Sequence, residues 1–329
     1  MDISREKQNL RMQKWVAILS VVILVVKFIA YYSTHSVAIL TDALESIVNV
    51  TAGFIGLYSL YVAAKPKDWD HPYGHGKAEF ISAAIEGTLI ASAGVIILYK
   101  AAQNLINPVQ LHRLDTGIWL VAAAAGANYL IAFFCLRTGK KNNSLALVAS
   151  GRHLQSDTLS TLGIIVGLVL LYFTGLAWID SVVAFIFGAI IMVTGYKILR
   201  KSIAGIMDEA DSSLLGRMVD LLNKNRGENW IDLHNLRVIK YGTVLHLDCH
   251  LTVPWYLNVH EAHREIDSLA ELVRKEFGES PEFFVHCDGC LPFSCRICKK
   301  AGCGERKNKF EQEIRWTLEN ISTNKKHEL

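Results

Sequence analysis

The sequence is short of net charge: 34 Lys and Arg against 31 Asp and Glu leave +3 over 329 residues. Total charge therefore carries no nucleic-acid signal, and no nucleic-acid partner is expected. The chain also lacks a G-x-x-x-x-G-K-S/T loop, the phosphate cradle of nucleotide-driven machines, so any transport is expected to run on a gradient. No small-x-small cleavage pattern closes the first apolar run, which starts near Trp15 behind Arg11 and Lys14. It is read as a retained span and not as a removed signal. There is no low-complexity segment and no obvious repeat. What the chain does have is 51% hydrophobic residues, gathered into runs that reach the roughly 20 residues a helix needs to cross a bilayer. An integral membrane protein is expected.

Hydropathy predicts six transmembrane helices, at 15–33, 36–63, 79–106, 117–136, 145–174 and 177–199. Basic residues cluster at the N-terminus, in the loops holding Lys65, Lys67 and Lys77 and holding Arg137, Lys140, Lys141 and Arg152, and after the sixth span. The opposite loops carry little besides Arg113. Lys and Arg in short loops mark the cytoplasmic side, so both termini are predicted cytoplasmic. The membrane domain is expected over 1–207, a soluble domain over 208–290 and a cysteine-containing tail over 291–329. Periodicity in the soluble part predicts helix 211–225, strands 231–241 and 243–253 joined by a turn at Tyr241-Gly242-Thr243, helix 259–277 and strand 282–288. That αββαβ order describes a small two-layer α/β unit. In the tail, KFEQEIRWTLENI (309–321) has the pattern of an amphipathic helix.

Ionisable side chains at membrane depth are expensive and by default functional. The second span carries Asp42, Glu45 and Asn49; the fifth carries His153 and Asp157. Glu45 and Asn49 are four residues apart, as are His153 and Asp157, so each pair lies on one helix face. Facing each other, they offer one nitrogen and three oxygens to a divalent cation, with two carboxylates to offset its charge. The alternatives are interhelical hydrogen bonding, or a span end lying among headgroups. Asp42 is a second-ranked ligand, a proton-handling group or a residue wetted at the outer mouth.

Two further clusters lie outside the spans. The loop KPKDWDHPYGHGKAEF (65–80) gathers Asp68, His71 and His75, a donor set suited to zinc and related metals. The soluble domain holds His234, His250, His263 and His286, with Cys287 and Asp288 following the last. Beyond them Cys290, Cys295, Cys298 and Cys303 continue a pattern with C-x-x-C units, a thiolate-metal signal in a compartment where lasting disulfides are uncommon. A structural or regulatory zinc site and redox-active thiols both fit. Cys135 and Cys249 read as packed thiols.

Taken together, SVAILTDALESIVN, DWDHPYGHGKAE, HLQSD and the αββαβ domain resemble the cation diffusion facilitator family, over nearly the whole chain to about Asp288. The resemblance implies efflux of divalent transition metals (zinc, iron(II), cobalt, manganese or cadmium) by exchange for protons, from a bacterial inner membrane. It implies a transport site at Glu45, Asn49, His153 and Asp157, a loop site at Asp68, His71 and His75, and a cytoplasmic site at His234, His250, His263, His286, Cys287 and Asp288. It further implies a homodimer joined through the soluble domains, with Lys77 and Asp208 as a charged interlock. The zinc or other metal is both cargo and a structural or regulatory ligand. Two departures stand out: Glu45 and Asn49 replace the usual second-span pair of Asp or His followed by Asp, and the cysteine tail has no assigned role in the family. Asn is a neutral ligand that exchanges no proton near neutral pH, which leaves metal choice and proton stoichiometry open. A membrane metal sensor that binds without transporting is the alternative. A metalloenzyme using Asp68, His71 and His75 with an open position for water is a third reading, and the sequence offers it no general base.

Overall fold

A computed structural model describes residues 3–108, 113–142, 145–241, 244–278 and 281–329. The chain divides into two compact units, one of the residues up to Ser59 with Ile81–Ser202, the other of Leu60–Phe80 with Ile203–Leu329.

The first unit is built from six long helices: α1 (Ile3–Thr34), α2 (Val37–Ala63), α3 (Ala78–Ile106), α4 (Leu114–Asn142), α5 (Leu145–Thr174) and α6 (Trp178–Ile206). Six spans within them are long and apolar enough to cross a membrane. Gly175, at φ +68°, ends α5 by adopting the left-handed conformation that closes its last turn. Large apolar side chains such as Phe54, Leu57, Trp119, Val166 and Phe173 point outward, as they do when the surrounding medium is hydrocarbon and only the backbone needs satisfying. Inside, Ile39 of α2, Ile97 of α3, Val121 of α4, Ile164 and Leu168 of α5 and Ala184 of α6 form one buried cluster.

Helices α3 and α6 meet at backbone distance. A Cβ on Gly87 would sit 2.6 Å from the Leu199 amide nitrogen, and one on Gly195 would sit 2.4 Å from that of Ala91. Small residues are what allow such an approach in lipid, where dispersion contacts and not water expulsion drive helix pairing.

The second unit contains α7 (Ser212–Lys224), β1 (Asp232–Tyr241), β2 (Val244–Val253), α8 (Val259–Phe277), β3 (Glu282–Gly289) and a short α9 (Leu318–Ile321). The sheet order is β1-β2-β3, with β1 antiparallel and β3 parallel to β2. A parallel pair needs a long connection, which α8 supplies. The sequence opens both helices with side-chain caps: Asp211 accepts from the Ser213 and Leu214 amides, and Asn258 and Glu261 form a capping box. Leu233, Leu247 and Leu251 of the sheet pack against Met218 and Leu222 of α7 and Leu269 and Val273 of α8. Gly242 and Thr243 of the expected β1–β2 turn lie outside the described residues.

The amphipathic helix expected over 309–321 is corrected to a single turn, Leu318–Ile321. The segment before it runs without regular structure because other partners take its backbone groups. Arg226 donates to the Ile314 carbonyl at 2.7 Å, and Asn223 both accepts from the Trp316 amide and donates to its carbonyl. Trp316 and Ile321 enter the domain core, almost wholly buried. Tertiary burial here overrides a helical pattern of modest intrinsic strength.

The end of the tail is held by an imidazole. His327 bonds Asp232 through its backbone amide at 2.9 Å and through Nδ1, while Nε2 reaches the Asn320 carbonyl at 3.1 Å. A ring that donates from both nitrogens is protonated. Desolvation works against that charge, yet the hydrogen bond donated to Asp232 and that carboxylate's charge outweigh it and raise the His327 pKa. Desolvation of Asp232 is likewise overcome by the His234 imidazole, 3.3 Å away, and by hydrogen bonds from His327, which hold its carboxyl well below the usual range.

Two outcomes follow for this fold. Gly195→Ala should lower the thermal midpoint of the detergent-solubilised protein by the equivalent of about 1–3 kcal/mol of overpacking, while Gly56→Ala, which meets nothing within 4 Å, leaves it unchanged; equal shifts would refute the close α3–α6 contact. A raised folded pKa stabilises below the unfolded value of about 6.5 and loses that contribution as pH rises through the folded one. Hydrogen-exchange protection of 318–329, corrected for intrinsic rate, should therefore decline from mildly acidic to alkaline pH. His327→Ala should flatten that dependence, and an unaltered dependence in the variant would remove His327 from the account.

Candidate metal-transport site

Inside the first unit, α2 and α5 present polar side chains to one another at successive levels. Asn49 Nδ2 donates to Asp157 Oδ2 at 2.9 Å, and His153 Nε2, one turn earlier on α5, stands 3.7 Å from the same oxygen. One turn further along α5, Thr161 Oγ1 donates to Asp42 Oδ1 at 2.7 Å. Three of the four residues expected at the transport site are thus brought together. Glu45 is half-buried on the same helix as Asn49, but Glu45, His153 and Asp157 do not bring their ligand atoms within 4.8 Å of one another. Asp157 is 13% exposed in its side chain and His153 56% exposed, so the imidazole lies at the open end of the pair.

Asp42 is buried and not wetted. It is 1% exposed, and Lys27 of α1, itself 2% exposed, places Nζ 2.9 Å from Asp42 Oδ1 and 2.9 Å from Ser46 Oγ. Lys27 is a residue that sequence reasoning passed over, because one Lys does not interrupt the hydropathy of a long apolar run. The rule that an ionisable residue at membrane depth has a partner or a task, applied to the first span as it was to the second, was the signal that could have found it. A second missed residue is Asp180 in the first turn of α6. Its carboxylate accepts from the Val37 and Ala38 amides and from the Ser36 hydroxyl, satisfying the orphan donors at the start of α2.

Within the second unit, two groups hold three ligand atoms within 4.8 Å of one another, and among the described residues these are the groups of that kind. The first is the loop: His71 Nδ1 is 3.0 Å from Asp68 Oδ1 and His75 Nε2 is 3.4 Å from Asp68 Oδ2, with the two rings 4.3 Å apart. Desolvation opposes ionisation of Asp68, but hydrogen bonds from His71 and the proximity of both imidazoles hold its carboxyl below its ordinary value. Tyr73 of the same loop packs on Tyr241 and His246, and Lys67 pairs with Glu282.

The second group lies across the sheet. Register pairs His234 with His250 and His250 with His286, so three imidazoles form a row on one face. Asp288, two residues beyond His286, places Oδ2 3.2 Å from His250 Nδ1 and 3.6 Å from His234 Nε2, and Oδ1 3.6 Å from His286 Nε2. His263 is left out: it is exposed on α8 and pairs with Asp267 at 3.7 Å. Cys287 alternates to the register position of Leu251 and is exposed. Lys77 and Asp208 do pair, at 2.8 Å, within one chain. Cys135 and Cys249 are buried, and desolvation pushes the Cys249 thiol up to about 12.

Comparison with known proteins matches this architecture twice. Residues 14–207 match the cation efflux transmembrane domain and residues 211–290 the cytoplasmic domain of cation efflux proteins. The chain belongs to the cation diffusion facilitator family of cation efflux transporters. It is 33% identical to an uncharacterized transporter of Synechocystis sp., over 71% of this chain and 76% of the relative. It is 28% identical to the manganese efflux system protein MneS of Bacillus subtilis, over 76% and 86%. The cation-efflux pump FieF of Pectobacterium atrosepticum is 27% identical, over 82% and 89%.

Lys27→Met leaves Asp42 charged and unpaired in an apolar interior, which should cost about 3–5 kcal/mol. Lys27→Met with Asp42→Asn removes both charges and should recover most of the loss. Unfolding midpoints in detergent check this; a double variant as unstable as the single would show that the pair does not act as a pair.

Proposed function

We propose that this transporter carries divalent transition-metal ions out of the cytoplasm in exchange for protons, with Glu45, Asn49, His153 and Asp157 as the ions' intramembrane seat. The observation that carries the reading is the Asn49–Asp157 contact with His153 one turn away, between two helices of a membrane unit whose family exports cations. The donors are one imidazole and oxygens, a mixture that accepts zinc, iron(II), cobalt or manganese and ranks none of them first by ligand type alone. The B. subtilis relative is named for manganese efflux, which makes manganese a necessary member of any substrate panel.

Exchange follows from ligand chemistry. His153, Asp157 and Glu45 bind a cation only when deprotonated. Protons arriving from the outer side compete with the ion and release it, and their loss on the inner side restores the site. Asn49 takes no part in that exchange, because its amide holds no titratable proton. In the unloaded state it donates to Asp157; on loading, its oxygen and not its nitrogen must face the ion, so the Asn49–Asp157 bond breaks as the metal enters. Asp42, neutralised by Lys27, supports the site and is not a ligand in this reading.

The remaining assignments complete the proposal. The protein works as a homodimer joined through its C-terminal domains, in a bacterial inner membrane with both termini in the cytoplasm. His234, His250, His286 and Asp288 form the cytoplasmic metal site, to which His263 and Cys287 contribute after rearrangement or from the partner subunit, and Asp68, His71 and His75 hold an ion in the loop.

The test is pH-driven uptake into proteoliposomes with zinc, iron(II), manganese, cobalt and cadmium. Wild-type protein should move at least one metal with counterflow of protons. Asp157→Ala should abolish the flux, a loss of two orders of magnitude or more, and Asn49→Asp should change the order of preference among metals. Binding to the C-terminal domain without flux of any metal would replace transport by sensing.

A further inference from the structure

The tail contains a feature that transport does not use. Cys290, Cys295, Cys298 and Cys303 line one cavity of about 210 Å³. All four carry free thiols. Cys287, despite its C-x-x-C spacing to Cys290, is not in the lining. The four donors are therefore chosen by the fold and not by the nearest spacing.

The four sulfurs are not gathered around a single point. Tetrahedral zinc holds its thiolates at about 2.3 Å, which places the sulfurs about 3.8 Å from one another. Here no three of the four sulfurs lie within 4.8 Å of one another; they stand around a space and do not close on a point. A metal–sulfide cluster fills such a space, since its thiolates bind different metal atoms on its periphery. The order Cys290-x4-Cys295-x2-Cys298 also matches the C-x4-C-x2-C run by which plant-type ferredoxins hold iron and sulfide, with Cys303 as the fourth thiol.

The surroundings suit a cluster. Amide and hydroxyl donors reach the sulfurs: the Lys307 amide to Cys295 Sγ at 3.4 Å and the Tyr256 hydroxyl to Cys303 Sγ at 3.7 Å. Hydrogen bonds of this kind stabilise cluster thiolates and set their potential. Arg306 folds the binding loop by donating to the carbonyls of Cys295 at 2.9 Å, Cys298 at 3.0 Å and Lys300 at 2.7 Å. Its guanidinium, with Lys300 and Lys307 and against one carboxylate, Glu305, in the same wall, supplies net positive charge against four thiolates. Behind the loop, Ile297 and Cys298 pack with Ile231 at the start of the sheet, so the cavity is anchored to the domain.

We propose that Cys290, Cys295, Cys298 and Cys303 bind an iron–sulfur cluster in the C-terminal tail. This site is separate from the cargo sites and stands whether or not the transport reading does. Each thiol releases its proton on binding iron, and the cluster's sulfide distinguishes it from cargo iron held by imidazole and carboxylate.

The full chain, purified in detergent without oxygen, would be assayed for iron, acid-labile sulfide, zinc and visible absorption. Protein lacking its metal would be reconstituted with iron(III), sulfide and a thiol, the ferric iron supplying the oxidised iron of the cluster and the thiol reducing any excess. Iron and sulfide in equal amounts, with a broad visible band, are expected. Cys303→Ser and Cys298→Ser should each lose the sulfide and the band, while His250→Ala, which alters the sheet site, retains both. Cys303 is only partly buried, so its variant reports ligation even if the core position Cys298 fails to fold. One zinc per chain without sulfide, iron without sulfide, sulfide that persists in Cys303→Ser, or no metal after reconstitution would each overturn the proposal.

Discussion

A carboxylate in the middle of a membrane protein needs a partner, and the first unit is arranged around that need. Asp42 is buried with Lys27 against one oxygen and Thr161 against the same oxygen. These bonds join α1, α2 and α5 at one level. Asp180 solves the same problem at the start of α2 by accepting from two amides and a hydroxyl. The helix that carries Glu45 and Asn49 is therefore fixed at its first turn and again two turns in. Desolvation makes every one of these polar groups costly if left alone, so the geometry of the seam is specified by charge while the bulk of the helix packing is specified by volume.

That division explains how the site differs from its neighbours. Lys27 and Asp42 neutralise each other and are out of reach of water, whereas Asp157 has, among the described residues, an amide and a nearby imidazole as partners. An amide leaves a carboxylate most of its charge. The Asn49–Asp157 pair is thus the weaker of the two polar levels on α2, and the Lys27–Asp42 level is the one that holds the helix.

Much of this was legible in the sequence, and the failures have specific causes. The six helices followed from runs of apolar residues that lipid requires, and the αββαβ order from periods of two and of 3.6. His234, His250 and His286 were visible as candidate ligands on expected strands, but their register was not, because pairing depends on how two strands align and not on either one. Lys27 was hidden by averaging: a hydropathy window dilutes a single charge. Asp180 was hidden because its partners are amides at the start of another helix, distant in sequence. The helix expected over 309–321 failed because Trp316 and Ile321 have a core to enter and Arg226 and Asn223 take the backbone groups a helix would have used. The four tail cysteines could be counted from the sequence, but the space between them could not.

The contact between α3 and α6 has a mechanical corollary. Side-chain-filled seams can slip, because rotamers can exchange one set of gaps for another. At Gly87 and Gly195 there is no such layer; backbone rests on backbone. Rolling either helix about its axis would drive a neighbouring Cβ into the other's main chain, so α3 and α6 act as a single girder. Any shape change within this unit has to be taken up by the joints that α1, α2, α4 and α5 make with this girder and with one another.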